Sequence, residues 1–303
     1  MSFKNRYLLF AGLILSVGQV AVGMDNYSTR IARLVKTRGL PASSALTSPY
    51  AKIQYEPPLE EDVVEIACNH APVQVKEIIE TLKSYPEQKP LRSLYLFVGA
   101  TGAGKTILAK AVAQKAGWPC VFVSVPLLAD EYENCIASNL KNIMVPILQQ
   151  DNKCVILLDE FSAITDGYNL KNGAAAALAM VKHCANQPNI FVIGTTIDAT
   201  ALSYQQRNLF KRDGIIEIPL PCAEARADLI CNKFQQQIDD GSLDQTYVDF
   251  LTRKTNGKSF RDIIDLFNEV AEKADFEDRE IDQSDIDAVI KQGKSWWQNL
   301  WGL

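Results

Sequence analysis

Histidine is almost missing from this chain: His70 and His183 are the only two among 303 residues. Neither has neighbours at ligand spacing, and H-E-x-x-H does not occur, which excludes the helix-borne zinc-protease site. Paired cysteines are missing too. Seven stand singly at 68, 120, 135, 154, 184, 222 and 231, with no C-x-x-C pair. An odd, dispersed set is a poor disulfide framework and reads as reduced thiols, with Cys120 and Cys154 opening apolar runs as small core residues. Basic charge is in deficit, 31 Lys and Arg against 36 Asp and Glu, for a net charge of −5. A protein held to nucleic acid by phosphate contacts carries a basic face, so that class is disfavoured. Low-complexity tracts and internal repeats are also lacking. A 47% hydrophobic content supports a real core and an ordered globular protein of one or two domains.

A membrane-spanning apolar run is lacking as well. The longest, "YLLFAGLILSVGQVAV" (7–22), has about 16 residues and is interrupted by Gln19. That is short of the roughly 20 a spanning helix needs. Lys4 and Arg6 precede it, and Ala21 and Gly23 place small residues at the −3 and −1 positions before Met24. This is the layout of an export signal. An uncleaved anchor through 7–22 is the alternative, with Arg30, Arg33, Lys36 and Arg38 following it and a cytosolic C-terminal side left open. Residues 1–23 are expected outside the fold in either case, and Met24 as mature N-terminus would exclude the anchor.

What is present is an ordered alternation. Residues 24–60 mix Ser, Thr, Pro and basic residues and read as a tether, with "GLPASS" and "EPPLEE" as breakers. From 61 to 221, short apolar runs at 94–98, 120–125, 154–160, 190–196 and 215–220 alternate with helical patterns, the first at 63–84. Such alternation predicts a buried five-stranded parallel sheet flanked by helices. After Pro221 the pattern is helical throughout, at 223–238, 243–254, 260–274 and 283–301, which predicts a small all-helical domain over 222–303. The stripe of Ile286, Val289, Ile290, Trp297, Leu300 and Trp301, with Trp296 beside it, reads as core or subunit packing, with an interfacial role open.

Gly99, Gly104, Lys105 and Thr106 satisfy G-x-x-x-x-G-K-[ST] between a predicted strand and a predicted helix. The backbone from Gly99 through Ala100, Thr101, Gly102, Ala103 and Gly104 can wrap a phosphate with its N–H groups, aided by the helix N-terminus. Lys105 supplies charge at the β and γ oxygens, and the Thr106 hydroxyl supplies a ligand for Mg²⁺. Asp159 and Glu160 end a wholly apolar strand. Two acids there are costly unless a cation awaits them. Asp159 is placed to hold the metal ion and Glu160 to activate a water, which points to hydrolysis rather than transfer.

In order along the chain, these segments resemble the AAA+ ATPases from about residue 63 to 292. "GATGAGKT" resembles the first Walker motif, without the prolines often found after its first glycine, and "VILLDE" the second. "IIEIPLP" with "AEARADLI" resembles the passage into the helical lid, "NGKSFRDIIDLFNEVA" the sensor-2 region, and "DREIDQSDIDAVI" the final lid helices. The resemblance implies a P-loop fold with a helical lid, ATP and Mg²⁺ as cofactors, and a ring oligomer, a hexamer, that remodels protein substrates. It implies sensor 2 at Arg261 and sensor 1 at Thr196 or Ile197, with Thr196 favoured because "TT" occurs in Clp-type members. It implies an arginine finger at Arg212, then Arg207. Tyr132, in "LLADEYENC", stands where threading members carry a pore-loop aromatic; packing on a helix surface is the alternative. A weakly hydrolysing nucleotide-gated scaffold and a DNA-directed loader are the rival functions. The export-like N-terminus and the need for ATP together imply an exported or membrane-associated protein with its ATPase module facing ATP.

Overall fold

The computed structural model describes residues 53–54, 58–86, 92–128, 136–149, 153–164, 171–239, 241, 243–276 and 286. Five parallel strands make the centre: β2 (Leu94–Val98), β3 (Cys120–Ser124), β4 (Cys154–Asp159), β5 (Ile190–Thr196) and β6 (Ile215–Glu217), in the spatial order β3-β4-β5-β2-β6. Every residue of β5 is buried, as expected of a strand covered on both faces. Alternation along the strands builds two cores. Leu96, Ile156, Leu158 and Val192 pack with Met144 of α4 (Ile136–Leu148) and Val181 of α5 (Lys171–Ala185). On the other face Phe97, Val155, Leu157 and Ile193 meet Ile79 of α2 (Val73–Lys83), Val112 of α3 (Lys105–Ala116) and Trp118. The expected α/β fold, a helix-flanked five-stranded parallel sheet with a helical C-terminal region, is the one observed.

Three local differences have physical causes. The helical pattern at 63–84 is two helices, α1 (Glu61–Asn69) and α2, because Pro72 supplies no N–H and disfavours helical geometry at the residue before it. The predicted strand at 215–220 is shorter, since Pro219 and Pro221 cannot donate to a ladder. A sixth strand, β1 (Ile53–Gln54), lies within the segment read as a tether. It pairs antiparallel with the edge strand β3, Ile53 opposite Val123 and Gln54 opposite Phe122, and so covers otherwise open backbone groups.

Helix α6 (Tyr204–Phe210) precedes β6, and the C-terminal helices α7 (Ala223–Lys233), α8 (Gln235–Asp239), α9 (Gln245–Lys254) and α10 (Phe260–Phe276) come after it. The last four share their own core of Ile230, Phe234, Leu251, Ile263 and Phe267, with the Phe234 and Phe267 rings edge-on at 4.8 Å. Of the helix expected at 283–301, Ile286 alone is among the described residues, and it is buried. The tryptophans at 296, 297 and 301 lie outside them, as do residues 1–23. No helix among the described residues is long and apolar enough to cross a membrane.

Candidate functional site

The carboxyl ends of β2, β4 and β5 reach one edge of the sheet together. Val98 registers with Thr196, Leu158 with Gly194, and Ser124 with Asp159. The glycine-rich loop leaves β2 at this edge and enters α3 at Lys105. Its close packing explains two of its glycines. A Cβ at Gly99 would lie 2.2 Å from the Ile218 carbonyl oxygen. Gly102 has φ +76°, and a Cβ there would lie 2.4 Å from Ser259 Oγ and 2.8 Å from Arg261 Cβ. Neither position tolerates a side chain.

Lys105 Nζ donates to the carbonyls of Gly99 at 2.7 Å and Ala100 at 2.9 Å, so the ammonium is held over the loop's own backbone. Burial pushes its pKa below the usual lysine range. Asp159 works against that shift, Arg261 reinforces it and Glu160 opposes it. An anion brought to the ammonium would restore its charge preference. Ala103 is buried, and its N–H donates to the Ala100 carbonyl at 3.2 Å, closing the loop's turn beside Thr101, which is exposed.

Asp159 is the junction of the site. Its Oδ1 accepts from Thr106 Oγ1 at 2.7 Å and from Thr195 Oγ1 at 2.7 Å. Thr195 Oγ1 also accepts from the Glu160 backbone N–H at 3.1 Å. One buried hydroxyl therefore spans both acids of the strand end. Glu160 itself has φ 56° and ψ 49°, a left-handed conformation that costs a non-glycine residue about 1–2 kcal/mol. Strain of this kind concentrates at functional sites. Glu160 is exposed, its carboxylate available to solvent at the sheet edge.

The hydroxyl that meets Asp159 belongs to Thr195, not to the neighbouring Thr196 chosen from the sequence. Thr196 instead supports the loop through its backbone, its carbonyl accepting from Gly99 N–H at 3.2 Å, while its hydroxyl faces the Asp198 carbonyl at 3.5 Å. Ile197 is 60% exposed and makes no such junction. The "TT" doublet was a visible signal, but only the β4–β5 packing shows which member turns toward the acid.

Arg261 lies beside the loop: its N–H faces the Gly102 carbonyl at 3.4 Å, and its charge acts on Lys105. Ser259 and Asp262 build the turn that brings it there. Ser259 Oγ donates to Asp262 Oδ2 at 2.8 Å and accepts from Asp262 N–H at 3.2 Å. Arg207 is exposed on α6, whose start is fixed by a reciprocal capping box between Ser203 and Gln206. Gln206, buried, also donates to the Ile164 carbonyl at 2.6 Å, tying that helix to the turn after Glu160. Sequence reading missed Gln206, although S-x-x-Q is a recognisable helix start. Arg212 opens the short 3₁₀ turn Arg212–Gly214; its side chain, and Tyr132 entirely, lie outside the described residues.

Among the described residues no cluster of three His, Cys, Asp or Glu gathers as a metal cage. A hydroxyl and a carboxylate, Thr106 and Asp159, form the hard oxygen set that suits Mg²⁺ bound mainly through phosphate oxygens and water. The family model described as "ATPase family associated with various cellular activities (AAA)" aligns with residues 95–220. Residues 95–220 of this chain thus match the AAA ATPase family. The mitochondrial inner membrane i-AAA protease supercomplex subunit YME1 of Saccharomyces cerevisiae is 25% identical over 214 residues, covering 67% of this chain and 28% of that protein. The matched segment contains the loop, Asp159, Glu160, Thr195 and Arg207, and stops one residue before Pro221, where the chain passes to α7.

Proposed function

We propose that this AAA protein binds Mg·ATP and hydrolyses it as a homo-oligomeric ring, a hexamer, and uses the cycle to remodel protein substrates. The observation that carries the reading is the convergence of Thr106 and Thr195 on one oxygen of Asp159, with Glu160 held in a strained conformation on the next residue. The loop N–H groups and Lys105 would bind the phosphates, and Thr106 and Asp159 would hold Mg²⁺, which when bound would supply charge neutralisation to the phosphates. Glu160 takes the proton of an attacking water, and Thr195 fixes the backbone from which Glu160 projects. Arg261 senses the γ-phosphate from the α10 start, and a neighbouring subunit contributes Arg212 or Arg207.

Support for work on proteins comes from the relative, named as a subunit of a protease supercomplex. H-E-x-x-H is absent from these 303 residues, so proteolysis is not proposed for them. Tyr132 is the proposed grip on an extended chain. Nucleic acid is not proposed as substrate, given the acidic balance. The module is placed in an ATP-containing compartment, with residues 7–22 as export signal or membrane tether.

The test is ATPase rate against protein concentration, for the full chain beside Lys105→Ala and Glu160→Gln. Rate per subunit rising steeply with concentration, and lost by at least about a hundredfold in both variants, supports a site shared between subunits. ATP binding with negligible turnover at every concentration overturns it in favour of a nucleotide-gated scaffold.

A further inference from the structure

Away from the phosphate loop, α1 and α7 form a seam where three side chains line up. Cys222 Sγ faces His70 Nδ1 at 3.8 Å, and His70 Nε2 meets Asp228 Oδ2 at 2.7 Å. A carboxylate needs a donor, so the proton of a neutral His70 ring sits on Nε2 and the lone pair of Nδ1 is turned toward sulfur. Nucleophile, base and orienting carboxylate thus follow the order that marks an activated thiol. Cys222 is exposed, at the N-cap position of α7. His70 closes α1, and a second polar contact of the seam, Asn232 Nδ2 donating to Asp62 Oδ2 at 3.2 Å, holds the two helices together.

We propose that Cys222 is a thiol–disulfide exchange site that takes small disulfides, with His70 as its base and Asp228 as the positioning carboxylate. The thiol proton passes to His70 Nδ1 as sulfur attacks. The Cys222 Sγ–S bond forms, the S–S bond of the small disulfide breaks, and the leaving thiolate takes the proton from His70. Cys222 is oxidised and one small thiol is released reduced, so no further oxidant enters. Glu224 is the opposing charge. Its carboxylate is held below the usual range by its own backbone N–H and then by the Cys222 thiol, with the charge of His70, when it is protonated, and that of Arg226 adding to this. That negative charge repels a developing thiolate, and the proton on His70 offsets it.

Four of the other five described thiols supply the contrast. Cys154 and Cys184 are buried, and burial raises the pKa of Cys68 and Cys231 as well. None of the four carries a base against its sulfur in the described contacts. The site stands immediately after Pro221, so an adduct lies against the joint between β6 and the lid helices.

The experiment treats the full chain with glutathione disulfide at neutral pH and follows each thiol by mass spectrometry. Trypsin isolates Cys222 in the peptide 213–226, free of other cysteines. Cys222 is expected to react at least about tenfold faster than in the urea-unfolded chain, and His70→Gln to lower that rate by about tenfold or more. Glu224→Gln is expected to raise it, a change opposite in sign to the His70 variant that unfolding cannot produce. Asp228→Asn, which loosens the ring without removing the base, gives a smaller loss and serves if His70→Gln does not fold. A folded rate at or below the unfolded rate, or a rate unchanged by loss of the His70 base or its Asp228 support, overturns the proposal.

Discussion

Thr195 serves two partners through one oxygen, donating to Asp159 and accepting from Glu160 N–H. Thr195→Val keeps the volume and removes both bonds, so the two acids lose their common brace. The expected result is an ATPase kcat lowered about tenfold or more, from the loss of charge-assisted positioning, with nucleotide affinity changed much less. Steady-state kinetics beside nucleotide titration separate the two. Cys184 gives a second prediction at this scale. Packed against Met144 Sδ at 3.3 Å, its thiol is pushed by burial up to about 12. The folded pKa exceeds the unfolded one, so the stabilisation is whole below the unfolded thiol range and is lost as pH rises toward about 12. Urea midpoints should fall from pH 9 upward, at up to about 1.4 kcal/mol per pH unit for this thiol, and Cys184→Ala should flatten the slope. Cys154 was legible as a small core residue from the apolar run it opens, and it is buried; Cys184, its Met144 contact and the Thr195 brace were not, because each depends on a neighbour far along the chain.

Among elements, the loop between β2 and α3 is closely packed on two sides. It is pressed from one side by Ile218 after β6 and from the other by Ser259 and Arg261 at the start of α10. Gly102→Ala combines a left-handed φ with a Cβ 2.4 Å from Ser259 Oγ. Relief requires the α10 start to withdraw, which carries Arg261 away from Lys105. We expect a loss of about 1–3 kcal/mol in stability and weakened nucleotide binding, read by thermal melting with and without nucleotide. The loop was visible in the sequence as a phosphate cradle. Its second role, as the surface on which α10 rests, was not. Likewise Pro72 was a visible breaker inside the helical pattern at 63–84, whereas β1 carried almost no signal, since two residues have no period to read.

At the scale of the whole molecule, Arg226 links the large α/β body to the C-terminal helices. It is buried, and it donates to the Pro221 carbonyl at 2.9 Å, the Thr252 carbonyl at 3.2 Å and Asn256 Oδ1 at 3.4 Å. The linker is thereby fixed to the end of α9, a few residues before Ser259 and Arg261. Arg226→Lys keeps the charge but cannot reproduce a planar fork. A loss of about 1–3 kcal/mol is expected in urea unfolding, with nucleotide-dependent lid closure weakened in a distance measurement across the linker. An unchanged midpoint would show that the clamp contributes nothing to how the two bodies are joined.

The chain's own order was enough for the sheet, the phosphate loop, the Asp159–Glu160 pair and the change to helices after Pro221. Each is written in contiguous residues, where apolar period, glycine spacing and an acid pair at a strand end carry their meaning locally. Tertiary structure alone decided that Thr195 rather than Thr196 meets Asp159, that Ser259 and Arg261 close on Gly102, and that Cys222 lies against His70. These pairings join residues tens to more than a hundred positions apart. Their geometry follows from strand register and helix packing, which no local pattern contains.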